Sequence, residues 1–204
     1  MIEITVFLVQ AVIISLSGVM APGPITAATI AAGTKSRNAG GLIAVGHAIV
    51  EFPLMFLILA GIGVLFESAL AKMIIGIVGG LFLLWMGTQM LRDISAKTAA
   101  QSAADSHSPV VTGIILSISN PYFLLWWATV GLALAKDARK LGLFAFVLFT
   151  IIHWLCDLSW LEALSWTSFK GSQLINETHQ RIVLAICALA MLFFGAMFIY
   201  RALW

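Results

Sequence analysis

Apolar residues run through this chain in long stretches, with the polar residues gathered between them. A helix needs roughly 20 apolar residues to cross a bilayer, and six segments qualify. They cover about 4–32, 41–66, 73–91, 110–135, 141–164 and 182–203. The first is interrupted by Ala21-Pro22-Gly23-Pro24 and the fourth by Asn120-Pro121. The predicted fold class is therefore all-α, a polytopic membrane protein with six transmembrane helices.

Between the third and fourth segments lies Arg92-Asp93-Ile94-Ser95-Ala96-Lys97, then an Ala/Ser-rich stretch to Pro109. That composition suits a solvated linker. Residues 1–204 read as a single membrane domain: a first three-helix repeat over 1–91, a linker loop over 92–109 and a second repeat over 110–204. In each half the first helix is broken by proline, the second carries a histidine and an acid, and the third is almost wholly apolar. An odd number of spans per half inserts the second half upside down, which is the plan of an inverted repeat. The His/acid pairs are offset by 106 positions and Pro24 and Pro121 by 97, so a longer half-helix or loop after Pro121 has to absorb the difference.

Composition strengthens the membrane reading. The chain is 61% hydrophobic and 10% charged, with a mean hydropathy of +1.05, whereas soluble domains are about 45–50% apolar and about 25% charged. The net charge of +2 comes without a basic cluster, so no nucleic-acid partner is expected. The first apolar run is too long for a signal-peptide core and leads into Pro-Gly-Pro, so it is expected to stay as a spanning helix. Cys156 and Cys187 form no CxxC and read as buried small residues. No GxxxxGK[ST] occurs, which argues against ATP hydrolysis by this chain, and no catalytic constellation is expected. Lys and Arg divide six to five between the two sides, so orientation stays open.

Two short stretches carry the chemistry. His47-Ala48-Ile49-Val50-Glu51 and His153-Trp154-Leu155-Cys156-Asp157 each place a histidine and a carboxylate four residues apart, on one face of a helix. The chain has four histidines, and two of them sit in this arrangement. A charge at membrane depth costs roughly 2.5–3.5 kcal/mol on insertion scales and usually faces a cavity or a pathway. The pairs allow three readings. They form a proton or cation relay that also meets the substrate; they hold a divalent metal such as Zn²⁺ or Mn²⁺; or they hydrogen-bond across the two halves as structural glue. No resident cofactor is expected, a bound divalent metal at His47, Glu51, His153 and Asp157 being the exception.

The proline breaks are the second candidate. Pro22 and Pro24 supply no N–H, so the carbonyls of Gly18 and Met20 lose helical partners, and Pro121 does the same to Ser117. Such carbonyls are tolerated at membrane depth where they line a cavity. A half-helix restarting at Pro24 also turns its N-terminal dipole inward, which suits a carboxylate. A simple proline kink is the plainer reading. Pro22, Gly23, Pro24, Asn120 and Pro121 are accordingly the candidate substrate-binding residues.

Met20-Ala21-Pro22-Gly23-Pro24, Ala32-Gly33 through Gly40-Gly41, Gly46-His47-Ala48 and Asn120-Pro121 together resemble the LysE/RhtB family of amino-acid exporters. The resemblance covers the whole length and the six-helix layout. It implies export of amino acids or related small zwitterions across the cell membrane, driven by an ion gradient, with a proton the expected ion. The wider superfamily includes metal-ion exporters and thiol-redox membrane proteins. The missing CxxC argues against the redox group, and a divalent metal exporter on the same scaffold is the alternative.

The remaining features read as background. Gly76 and Gly80 form a GxxxG that suits tight helix packing. Trp126, Trp127, Trp154, Trp160, Trp166 and Trp204 include interface anchors, with Trp126 and Trp154 also candidates for a cavity wall. Glu162 is expected to snorkel to the interface, and His107 and His179 to sit in loops. Lys35, Arg37 and Asn38 serve solvation, with a gate as the alternative. Expected partners are a small-molecule substrate and lipid, and small-residue faces on the first and third helices are compatible with a homodimer.

Overall fold

The computed structural model describes residues 2–62, 68–96, 108–171 and 177–203, and these are helical almost throughout. The predicted linker falls mostly outside the described residues, as do His107 and Trp204. His179 lies in a helix rather than a loop.

The first half begins with α1 (Ile2–Val19), which has 18 residues and is about 27 Å long. The predicted span over 4–32 is thus divided: α1 is long enough to approach a crossing alone, and α2 (Pro24–Gly33) is a separate apolar helix of 10 residues. Pro24 occupies the first turn of α2, where its missing N–H costs nothing. Helix α3 (Ala39–Leu57) contains Pro53 and runs into a π-helical turn over Ile58–Ile62. Arg139 Nη1 donates to the Leu59 carbonyl in that turn at 3.0 Å. Helix α4 (Ala69–Ala96) completes the half.

The second half opens with α5 (Pro109–Ile118), capped by Ser108, whose hydroxyl accepts from the Val111 N–H. Helix α6 (Pro121–Trp126) follows, then a π-helical turn over Trp127–Gly131 and α7 (Leu132–Lys140). The two sides of the Asn120 break bend by 59° and read together as one broken span. Helix α8 (Leu143–Gly171) and α9 (Glu177–Leu203) close the chain. Among the described residues, five helices are long and apolar enough to cross a membrane, or six with the bent pair counted as one span.

Packing between the halves is reciprocal. Helix α1 leans on α8, α5 leans on α3, and α4 pairs with α9, while α3 and α8 meet each other. Glycines set the closest approaches. A Cβ on Gly113 would collide with the Ile43 carbonyl and one on Gly46 with the Val110 carbonyl, so α5 reaches α3 only because both side chains are absent. Gly76 and Gly80 press on Ala202 and Gly195 of α9. The small-residue face of the third span is therefore used within the chain. The core between the halves is aromatic and aliphatic: Phe7, Met55, Phe123, Trp127, Phe146 and Phe149 belong to one buried cluster.

Candidate functional site

Helices α3 and α8 bring His47, Glu51, His153 and Asp157 to one place, all four buried. Each pair is four residues apart on its own helix, so each presents both side chains to the facing helix. Glu51 is 1% exposed and its Oε1 is a meeting point. The Trp127 indole N–H donates to it at 3.2 Å. His153 Nε2 lies 3.2 Å away and His47 Nε2 3.3 Å away. Asp157 is held more loosely. Its Oδ1 is 3.9 Å from His47 Nε2 and its Oδ2 is 3.6 Å from His153 Nε2. Glu51 Oε2 and Asp157 Oδ2 accept no hydrogen bond although both are buried.

The far side of each imidazole meets a serine on the other half's first helix. His47 Nδ1 is 2.6 Å from Ser117 Oγ on α5, and His153 Nδ1 is 2.7 Å from Ser15 Oγ on α1. Ser117 settles the first of these. Its hydroxyl donates to the Gly113 carbonyl at 2.6 Å, and a hydroxyl has one hydrogen to give. The contact with His47 must then run from Nδ1–H to Ser117 Oγ. In the neutral ring this leaves Nε2 as a lone pair aimed at the two carboxylates. Aromatic rings wall the site: Trp126 stacks on His153 with centroids 5.1 Å apart, and Phe123 meets His47 edge-on at 4.9 Å.

The four residues line a cavity of about 80 Å³, together with Pro22, Gly23, Pro24, Ile25, Thr26, Asn120, Trp126 and Trp127. That is several times the space one water needs. Asn120 shares this cavity with the first break; of Pro121, only its place at the start of α6 is described. The two breaks end differently. At α6, Asn120 Oδ1 accepts from the Tyr122 N–H at 3.1 Å, a side-chain cap. At α2, Gly23 has no side chain to offer and no side chain caps the helix, so the orphan amides of its first turn open beside Ile25 and Thr26 on the cavity wall.

Several expectations are corrected by this geometry. The Gly18 carbonyl is not orphaned, because the Ala21 N–H takes it at 3.1 Å, and the Asn120 N–H takes the Ser117 carbonyl at 3.3 Å. The chain tightens its last turn before Pro22 and before Pro121 and recovers the bond there. Glu162 does more than snorkel: its Oε2 accepts the Gly41 N–H in the first turn of α3 at 2.7 Å. Trp154 does not line the cavity; its indole donates to the Ala44 carbonyl at 3.2 Å. Cys156 and Cys187 are buried and free, as read from the sequence. Ser15, Ser117 and Trp127 went unmarked as parts of the site. The available signal was the Ser-x-Ser that precedes each proline break, Ser15-Leu16-Ser17 and Ser117-Ile118-Ser119, on the helices that face the histidines.

The donor set also defines a candidate cation site. His47 Nε2 and one oxygen from each of Glu51 and Asp157 lie within 4.8 Å of one another.

Comparison with known proteins sets these features in a family. Two proteins named threonine efflux protein, from Salmonella typhi and from Salmonella typhimurium (strain LT2), are each 31% identical to the chain over 101 residues, which is 45% of this chain and 49% of theirs. The chain thus spans about half the length of the curated relatives it matches. No solved structure matches it. The LysE type translocator family matches residues 16–202. With apolar helices long enough to span a membrane, breaks and a buried polar centre in place over that range, the chain belongs to the LysE type translocator family.

Proposed function

We propose that this chain exports small amino acids, of the size and polarity of threonine, by alternating access coupled to an ion gradient. The observation that carries the reading is one cavity with two poles of opposite sign. The uncapped first turn of α2 offers amides and a positive dipole end to a carboxylate. Glu51 and Asp157 offer two buried carboxylates on the same wall. An α-amino acid carries the complementary pair of charges on two groups bonded to one carbon. The printed name of the relatives, threonine efflux protein, points to the same class.

The coupling follows from competition. The substrate ammonium and the coupling cation both need Glu51 and Asp157, so they occupy the site in turn. A carrier that must exchange one for the other moves them in opposite directions. The halves act as inverted repeats in this scheme, and the reciprocal contacts of α1 with α8 and α5 with α3 support it. Rocking at the α3–α8 contact opens the cavity first to one side and then to the other.

The test is efflux from proteoliposomes loaded with radiolabelled threonine, serine or a bulky amino acid under an imposed cation gradient. Saturable threonine and serine efflux, absent from protein-free vesicles and lost in Glu51→Gln and Asp157→Asn, is the expected result. Wild-type rates in both variants, or no flux above empty vesicles, would end the reading.

A further inference from the structure

We propose that His47, Glu51 and Asp157 form a binding site for a first-row divalent metal ion of the Zn²⁺ class, set between α3 and α8. This deepens the transport reading by naming the ion at its centre. It rests on that reading for the ion's part in export, and on the geometry alone for binding.

Three independent features converge. The first is spacing. Neighbouring ligand atoms around a tetrahedral ion with bonds of about 2.0–2.1 Å lie about 3.3–3.4 Å apart. His47 Nε2 is 3.3 Å from Glu51 Oε1 and 3.9 Å from Asp157 Oδ1, and a small rotation of Asp157 closes the longer edge. The second is unused valence. Glu51 Oε2 and Asp157 Oδ2 are buried and accept no hydrogen bond, a costly state at membrane depth for any acceptor without a partner. The third is the ring of His47. A metal-bound imidazole almost always donates its other N–H to an outer partner that fixes the ring. The Ser117 hydroxyl, committed to the Gly113 carbonyl, leaves His47 Nδ1–H as that donor and Nε2 as the ligand. Two carboxylates also offset the charge of a divalent ion, so the loaded site enters the bilayer interior without net charge. One imidazole and two carboxylates suit Zn²⁺, Mn²⁺ or Co²⁺ better than a soft, thiolate-seeking ion. Three protein ligands leave a coordination position open.

Ser117 is then a positioning residue. It touches no ion and acts through the ring it holds. The experiment uses full-length protein in detergent, with any purification tag cleaved, stripped of metal and titrated with Co²⁺. Expected are one Co²⁺ per chain, a visible ligand-field band of a low-coordinate N/O site, displacement by Zn²⁺, loss of binding in Glu51→Gln, and a weakening of about 10-fold in Ser117→Ala. The serine variant removes one oxygen and keeps the chain folded, which circular dichroism checks. Substoichiometric binding, or binding that neither variant changes, would overturn the assignment. Amino-acid efflux on the same preparation separates the two ideas. Efflux from a protein that binds no Co²⁺ ends this inference and leaves the transport reading standing. Stoichiometric Co²⁺ with Zn²⁺ flux but no amino-acid flux upholds the site and ends the amino-acid reading.

Discussion

His47 and Glu51 on α3, and His153 and Asp157 on α8, share a spacing but not a setting. Glu51 is gripped through one oxygen by the Trp127 indole and by two imidazoles. Asp157 touches the same imidazoles only at 3.6 and 3.9 Å and accepts no hydrogen bond through Oδ2. The difference separates two jobs that identical spacing would merge. In the proposed exchange, Glu51 serves as a fixed charge around which the site is arranged, and Asp157 as the free arm that reaches for a cation or an ammonium group and releases it again. An exchanger needs both, since a site gripped on every side would hold its ligand, and one gripped nowhere would not select it.

The sharpest way to break this comparison is to neutralise each carboxylate in turn. Glu51→Gln and Asp157→Asn should both depress efflux by two to three orders of magnitude, which is about 3–4 kcal/mol of lost transition-state stabilisation. Their stabilities should diverge. Glu51→Gln puts a neutral amide where the Trp127 indole N–H and two imidazoles meet a carboxylate and should lower the melting temperature in detergent, whereas Asp157→Asn breaks no hydrogen bond through Oδ2 and should melt close to wild type. Equal melting losses would dissolve the distinction between the fixed charge and the free arm.

Trp127→Phe sharpens it. The ring remains against His153 and Phe149, and the single N–H to Glu51 disappears. A hydrogen bond to a charged group is worth about 1.5–3 kcal/mol, so efflux should fall about 10- to 100-fold. Asp157→Asn added to Trp127→Phe should then cost less than the sum of the two effects, because Glu51 is already loosened. Strict additivity in that double-mutant cycle would show that the indole acts elsewhere.

The sequence carried the quartet and hid its supports. Two histidine–acid pairs four residues apart are legible because helical periodicity alone puts each pair on one face. That the faces meet follows from the membrane, where four costly side chains have few other places to go. Trp127, Ser15 and Ser117 were opaque for the opposite reason: serine and tryptophan occur in spanning helices in many roles, and which one holds depends on the neighbour across the contact. The division of the first predicted span at Val19, and the recovery of the Gly18 and Ser117 carbonyls by tightened turns, depend on backbone geometry that a proline announces without specifying. Gly113→Ala probes such a support. A Cβ there strikes the Ile43 carbonyl, and overpacking typically costs about 1–3 kcal/mol. The variant should draw Ser117 away from His47 while the His153–Ser15 contact stays, so Co²⁺ affinity should fall along with stability. A shift in melting temperature without a change in affinity would separate the packing of α5 from the chemistry of His47.

The smallest effect concerns the two breaks. Asn120 caps α6 through the Tyr122 N–H, while α2 has no side-chain cap. If the open end of α2 receives the substrate carboxylate and the closed end of α6 does not, removing the asparagine should be a matter of stability. Asn120→Ala should cost about 1 kcal/mol, the usual worth of such a cap, and leave the KM for efflux within about twofold, a change of roughly 0.4 kcal/mol. Gly23→Asn makes the reverse change. Gly23 sits in extended backbone at the N-cap of α2, a conformation any residue adopts. Nothing but the Ala21 carbonyl lies within 4 Å of an added Cβ, at 3.9 Å. An asparagine there would close the α2 amides on itself as Asn120 does for α6, and KM should rise while melting improves. A KM that rises instead in Asn120→Ala would place the carboxylate at the second break and reverse the polarity of the whole site.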